Sequence, residues 1–291
     1  EQVSADANPD YKEVFDCGIA LAESDRLCAL GVYAPNQWPK TPAMFDVDIM
    51  AYFERARAIS LIILQAIAAG NGRDPAFFND KFNKPMALLW GNFYPKRPLD
   101  SGDKDFGIAE HTDYGCLTFL ATDGQQGLEV QLPDGKWQAV QVPPGEFIIN
   151  FGEMLEFWTG GEVKATLHRV RGGSQERLSI PLFFNPNHDT NVAPEGASQP
   201  ILAGEHLQKR FSETYRHLKK SCLHFCEFDR FPAPTRFGDV WVLEFKTSFQ
   251  QGDFIIDFSS KQKHLRHWSD QHPRAILLDH LVVLGYFVDV I

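Results

Sequence analysis

Between residues 46 and 72 the apolar positions repeat with a helical period. Ile49, Tyr52, Phe53, Ala56, Ile59, Ile63, Ala66 and Ile67 fall along one side of a helix. Asp46 or Asp48 is placed to cap its start, and Gly70-Asn71-Gly72 to stop it. Asp74-Pro75 predicts a short second helix through Phe78. Residues 1–45, with Pro9, Pro35, Pro39 and Pro42, read as loop.

From Met86 the period shortens. Strands are predicted at Leu88 to Tyr94, Cys116 to Ala121, Leu128 to Leu132, Trp137 to Val142, Phe147 to Phe151, Ala165 to Val170 and Leu178 to Phe184. Pro133-Asp134-Gly135 reads as a hairpin turn between two of them. Many short strands at this spacing predict a mainly β fold with flanking helices, a sandwich or barrel of which a jelly roll is one form. Leu207, Phe211, Tyr215 and Leu218 then mark an amphipathic helix from about Glu205 to Lys219. Residues 221–291 are rich in His and Phe without a clear period, and Phe249-Gln-Gln-Gly-Asp-Phe254 could form a hairpin. The chain thus divides into a helical and loop part (1–85), a β core with its closing helix (86–220) and an unassigned tail (221–291).

Composition narrows the function classes. With 44% hydrophobic residues the chain has material for a real core. A net charge of −10 argues against nucleic acid as the main partner, since phosphate binding needs a basic face. Five scattered cysteines do not form a secreted disulfide framework, so a reducing, cytoplasmic location is expected. Neither apolar stretch, Ile59 to Ala69 or Ala275 to Ile291, reaches the roughly 20 clean apolar residues of a membrane span. Glu1 rather than Met opens the chain, without a charged-then-apolar leader, so a processed end or a fragment is expected.

Four short pieces carry the chemistry. In His111-Thr-Asp113, residues two apart on an extended segment project to the same side and can reach one metal ion. Alone, that pair could be a solvated loop. His168 sits among apolar neighbours in a strand-like run, where a lone His is usually a core residue. Two imidazoles and one carboxylate together occupy one face of an octahedral metal, the ligand set of non-haem iron(II). Arg177-Leu-Ser179 sets a guanidinium fork and a hydroxyl on one strand face, a receptor for a carboxylate. Asn92 and Tyr94, before Pro95, share a face in the same way.

In this order the pieces closely resemble the isopenicillin N synthase-like branch of the 2-oxoglutarate/iron(II)-dependent dioxygenases. Asn36-Gln-Trp-Pro39, Gly127-Leu-Glu-Val130, Asn150-Phe-Gly-Glu-Met154, Trp158-Thr-Gly-Gly161 and Asn185-Pro186 add to the likeness, which covers roughly residues 11–219. The resemblance implies a double-stranded β-helix, the cupin-like jelly roll. It implies iron(II) on His111, Asp113 and His168, with Arg177 and Ser179 on the distal carboxylate of 2-oxoglutarate and Tyr94 assisting. Asn92 would lie near the chelating end of that co-substrate. The implied reaction takes O2 and 2-oxoglutarate to succinate and carbon dioxide while a small organic substrate is oxidised, most often hydroxylated, with no protein acid or base beyond the metal ligands. Members of the branch usually carry more strands and helices ahead of the matched part. This chain enters after much of that segment, so one sheet edge is expected to lie uncovered.

Three other readings stand beside this one. Some members keep the Arg-x-Ser pair yet use no 2-oxo acid. A scaffold or binding protein could keep the fold without turnover. A zinc hydrolase could use the same donors, but would leave Arg177, Ser179, Asn92 and Tyr94 without a role. Cys222-Leu-His224-Phe-Cys226 lacks a second ligand pair for zinc, and His264, His267 and His272 read as a solvated face rather than a second metal site. Substrate identity and oligomeric state are not encoded in any pattern found.

Overall fold

The computed structural model describes residues 10–97, 102 and 106–214, together with three strands at 240–250, 253–258 and 281–287. Two β-sheets face one another in a double-stranded β-helix, with helices packed outside. The large sheet has β1 (Glu13–Gly18), β2 (Met86–Tyr94), β10 (Arg177–Asn185), β4 (Leu117–Thr122) and β7 (Phe147–Phe151) in that spatial order. Beyond β7 it continues through β13 (Leu281–Phe287), β11 (Val240–Gln250) and β12 (Asp253–Phe258), and β8 (Val163–Lys164) pairs with β13. The small sheet runs β3 (Phe106–His111), β9 (His168–Arg171), β5 (Leu128–Gln131) and β6 (Trp137–Ala139).

Side-chain alternation divides the large sheet into two faces. Ala87, Leu89, Leu117, Phe119, Ile149, Phe151, Leu182 and Phe184 point to the outer face, where they are buried with Phe53, Ala56, Ile63, Leu64 and Ile67 of α1 (Phe45–Gly70). Their neighbours Leu88, Trp90, Asn92, Tyr94, Thr118, Leu120, Ile148, Asn150, Arg177, Ser179, Pro181 and Phe183 line the inner cavity. A smaller apolar cluster joins the sheets across that cavity: Tyr94 and Ile148 from one, Leu128, Val130 and Val170 from the other.

The predicted strands after Met86 are present, with ends shifted by a few residues. Besides β3 and β8, for which no strand is predicted, three elements differ from expectation. Residues 13–18 form β1 inside the stretch read as loop, and β1 covers the open edge of β2. Helix α1 starts at Phe45 behind Met44, which takes a left-handed φ of 67°, so neither Asp46 nor Asp48 is the cap. The Phe45 ring packs edge-on against Phe15 at 5.2 Å, so tertiary packing extends the helix past its polar start signal. Asp46 and Asp48 fall in the first turn, where they still favour the positive end of the helix dipole. The third is α2 (Glu153–Trp158), for which six residues give no readable period.

The closing helix α3 is described from Ala203 to Thr214, and its expected continuation to Lys219 lies outside the described residues. So do Cys222-Leu-His224-Phe-Cys226 and His264, His267 and His272. The hairpin expected at Phe249–Phe254 corresponds to the pairing of β11 with β12, in which Phe249 lies opposite Phe254. Among the described residues no helix is long and apolar enough to cross a membrane.

Candidate metal centre and acid-binding cavity

The antiparallel pairing of β3 with β9 sets His111 directly opposite His168. Their ring centroids are 4.3 Å apart. Nδ1 of His111 lies 2.8 Å from the Ala109 carbonyl oxygen, and Nδ1 of His168 lies 2.9 Å from that of Thr166. A carbonyl can only accept, so each Nδ1 carries the proton and each Nε2 is left as a bare donor for a cation. Asp113 lies just past the end of β3, and its Oδ1 is 3.7 Å from both Nε2 atoms. The three residues form a cluster whose ligand atoms all lie within 4.8 Å of one another, the only such group among the described residues. Three donors at this spacing can surround one cation at roughly 2 Å each.

Burial and neighbouring groups shift two of the three residues, His111 and Asp113. Burial, reinforced by the neighbouring His168, holds His111 well below the usual histidine range, against the pull of Asp113. Burial alone would raise the Asp113 carboxyl, but His168, His111 and hydrogen bonds from Thr118 and Asn150 hold it below its ordinary value. A neutral His111 and an ionised Asp113 are the forms of those two groups that bind metal.

The loop carrying Asp113 is fixed from two sides. Backbone N–H groups of Gly152, Glu153 and Met154, at the start of α2, donate to the carbonyls of Cys116, Asp113 and Gly115. Asn185 accepts from the Cys116 N–H at 2.9 Å. Gly115 has to be glycine, because a methyl group there would sit 1.7 Å from Asn185 Oδ1. On the α3 side, Thr112 donates to Glu153 at 2.6 Å, Arg210 donates to the same oxygen at 3.1 Å, and the Tyr114 and Thr214 hydroxyls share a hydrogen bond. His206 Nε2 is 3.0 Å from the Tyr114 carbonyl, which makes it the donor.

The cavity of about 840 Å³ runs from this cluster to a second polar end. There Arg177, 4% exposed, lies opposite Tyr94 across the β10–β2 ladder, its guanidinium carbon 5.1 Å from the Tyr94 ring centre. Its Nε and Nη1 are buried with no hydrogen-bond partner. Ser179 pairs with Asn92 on the same ladder, and Asn92 donates to its hydroxyl at 3.4 Å, leaving Asn92 Oδ1 without a partner. A buried guanidinium whose donors are unmet is a built receptor for an anion. The structure therefore brings His111, Asp113 and His168 together at one part of a single cavity and Arg177, Ser179, Asn92 and Tyr94 together at another.

Other motif strings acquire local roles. Asn36 clamps Gly18 of β1 by accepting from its N–H at 2.8 Å and donating to its carbonyl at 3.0 Å. Gly160 and Gly161, with φ of 67° and 89°, end α2 in a way other residues resist. Sequence reasoning missed Thr118, and it noted Asn150 only as part of a string. Both donate to Asp113 Oδ2 at 2.6 Å. A polar residue breaking the buried run Leu117–Phe119 was the available signal for Thr118.

The fold is thus a jelly roll in which a His-Asp-His cluster and a buried arginine face one cavity. Residues 85–186 match the family model described as the 2OG-Fe(II) oxygenase superfamily. Among its relatives is the 2-oxoglutarate-dependent dioxygenase traH of Penicillium crustosum, 35% identical over 62% of this chain and 57% of its own length. Homoarginine-6-hydroxylase 2-ODD-C23 of Glycine max is 33% identical over 64% of this chain and 59% of its own. The chain thus spans less than two thirds of the length of these relatives. Among solved structures, a full-length Neurospora crassa protein in complex with alpha-KG superposes with a TM-score of 0.64 at 26% identity, covering 72% of this chain and 68% of that one.

Proposed function

We propose that this protein is a non-haem iron(II), 2-oxoglutarate-dependent oxygenase acting on a small organic substrate. The observation that carries this reading is one cavity holding both a His, His, Asp donor set and a buried guanidinium with two unpartnered nitrogens. The donor set fits iron(II), which needs several open positions besides its protein ligands. The guanidinium fits a dicarboxylate. Iron bound there would supply O2 activation, by which 2-oxoglutarate is decarboxylated to succinate and carbon dioxide and a substrate is oxidised.

The residues have separate tasks in this reading. His111, Asp113 and His168 hold the metal. Arg177 and Ser179 bind the distal carboxylate, with the Tyr94 ring against the guanidinium. Asn92 stands between that end and the metal. Leu128, Val130, Ile148 and Val170 enclose the co-substrate's methylene carbons and keep water away from them. Trp90 and Phe183, in edge-to-face contact at 5.0 Å, wall the remaining space for the substrate. No side chain is assigned as acid or base. A net charge of −10 supports a small-molecule rather than a nucleic-acid partner, and the free thiols of Cys17, Cys28 and Cys116 support a reducing, cytoplasmic setting.

Anaerobic addition of iron(II) and 2-oxoglutarate to purified protein is expected to give a weak visible charge-transfer band. Admission of O2 is then expected to release succinate. Folded protein that shows neither would overturn the reading. A band without succinate release would leave a binding protein, and oxidation of substrate without 2-oxoglutarate would leave an iron oxidase.

A further inference from the structure

Asp113 has two oxygens, and the protein treats them differently. Oδ1 faces the two histidine Nε2 atoms at 3.7 Å. Oδ2 accepts one hydrogen bond from Thr118 Oγ1 and one from Asn150 Nδ2, each at 2.6 Å. Thr118 and Asn150 lie directly opposite each other in the β4–β7 ladder, so two strands present the donors as a fixed pair. Both are 5% exposed and are flanked along their strands by the buried apolar residues Leu117, Phe119, Ile149 and Phe151. An apolar pair could fill such positions, so burying two polar side chains there calls for a reason beyond folding.

We infer that Thr118 and Asn150 are positioning residues that restrict Asp113 to a single metal-binding oxygen. The inference rests on the proposed function. An Oδ2 that turned toward a cation would leave two buried donors without an acceptor, which opposes two-oxygen binding. Two imidazoles and one carboxylate oxygen leave three of six octahedral positions open. A chelating 2-oxo acid and dioxygen together need three. A second carboxylate oxygen would remove one of them. Thr118 and Asn150 thereby set how many positions the site keeps open, although neither need touch the metal.

Cobalt(II) tests this without turnover, because its visible d–d band reports coordination number. Titration of Co(II) into wild type, Thr118→Val, Asn150→Leu and Thr118→Ser is followed by affinity and band intensity. The Val and Leu variants are expected to bind Co(II) about 10- to 100-fold more weakly and to change the band. Thr118→Ser, which keeps the hydroxyl, is expected to match wild type in both. A merely structural role would lower the unfolding midpoint of metal-free protein and leave the band of the folded fraction unchanged. Should Val or Leu prevent folding, Thr118→Ala and Asn150→Ala carry the same expectation. Folded variants with wild-type affinity and band would overturn the positioning role alone. Wild type that binds no Co(II) would overturn it together with the proposed function.

Discussion

Replacing Arg177 by Met should weaken 2-oxoglutarate binding and, in the same protein, stabilise the ligand-free fold. Arg177 is 4% exposed, and two of its guanidinium nitrogens are buried without acceptors. Its one described compensation is the Tyr94 ring, 5.1 Å from the guanidinium carbon, worth about 0.5–1 kcal/mol. Replacing buried ionic groups by apolar side chains of similar volume is often neutral or stabilising, by about 1–4 kcal/mol, and a lone buried charge has no ion partner to lose. The net expectation is a gain of about 1–3 kcal/mol in ligand-free stability. Binding moves the other way. Truncating one partner of a buried, hydrogen-bonded charge pair costs about 2–5 kcal/mol, and 3 kcal/mol is about 150-fold in Kd. Arg177→Lys should fall between, because it keeps the charge but not the fork. Urea unfolding of metal-free protein measures the first quantity. Calorimetric titration of 2-oxoglutarate in the presence of redox-silent Mn(II) measures the second. A Met variant that is less stable than wild type and binds within threefold of it would refute the reasoning on both counts.

Other expectations concern the supports of the site. Burial, aided by Arg210, holds His206 down to about 4, against its hydrogen bond to Tyr114. A histidine whose folded value is lowered binds fewer protons folded than unfolded, so its contribution is intact above about pH 6.5 and is lost as pH falls toward 4. The loss is at most about 3 kcal/mol, and His206→Gln should shed correspondingly less stability between pH 7.5 and 4.5 in urea titrations; equal losses would contradict this. Gly115→Ala should destabilise the fold by about 2–4 kcal/mol, because the added carbon displaces Asn185 and strands the buried Cys116 N–H. An unchanged unfolding midpoint for that variant would show that the loop yields more readily than its contacts imply.

The parts legible in the sequence are those whose signal is local. Arg177 and Ser179, or Asn92 and Tyr94, share a face by strand alternation alone, so a strand at each position suffices to pair them. Helix α1 was legible because its buried stripe, from Phe53 to Ile67, is long. What stayed hidden depended on partners distant in the chain. β1 reads Glu-Val-Phe-Asp-Cys-Gly, with only Cys17 buried, and it becomes a strand because β2 offers it an edge. β3 contains Gly107 and Ala109 and pairs with β9 through register shifts, so no regular pattern announced it, although it carries His111. The polar Thr118 interrupts the run Leu-Thr-Phe-Leu-Ala-Thr, but its acceptor is Asp113 in the loop before β4, which that run does not specify.

Strand register links the stability of this fold to its chemistry. On β10 the outward residues Leu182 and Phe184 are 0% and 1% exposed and pack in the core formed with α1, while Arg177, Ser179 and Phe183 face the cavity. A slip of β10 by one residue would drive Leu182 and Phe184 into the cavity and turn Arg177 and Ser179 into the apolar layer. The core therefore excludes the slipped register, and in doing so it fixes Arg177 opposite Tyr94, and Ser179 opposite both Asn92 and Thr122. β4 and β7 obey the same rule, with Phe119 and Ile149 outward and Thr118 and Asn150 inward. Substitutions at outward positions should change stability while leaving ligand affinity in the folded protein intact. Inward polar positions can be unfavourable for folding, because the apolar layer behind them already holds the register.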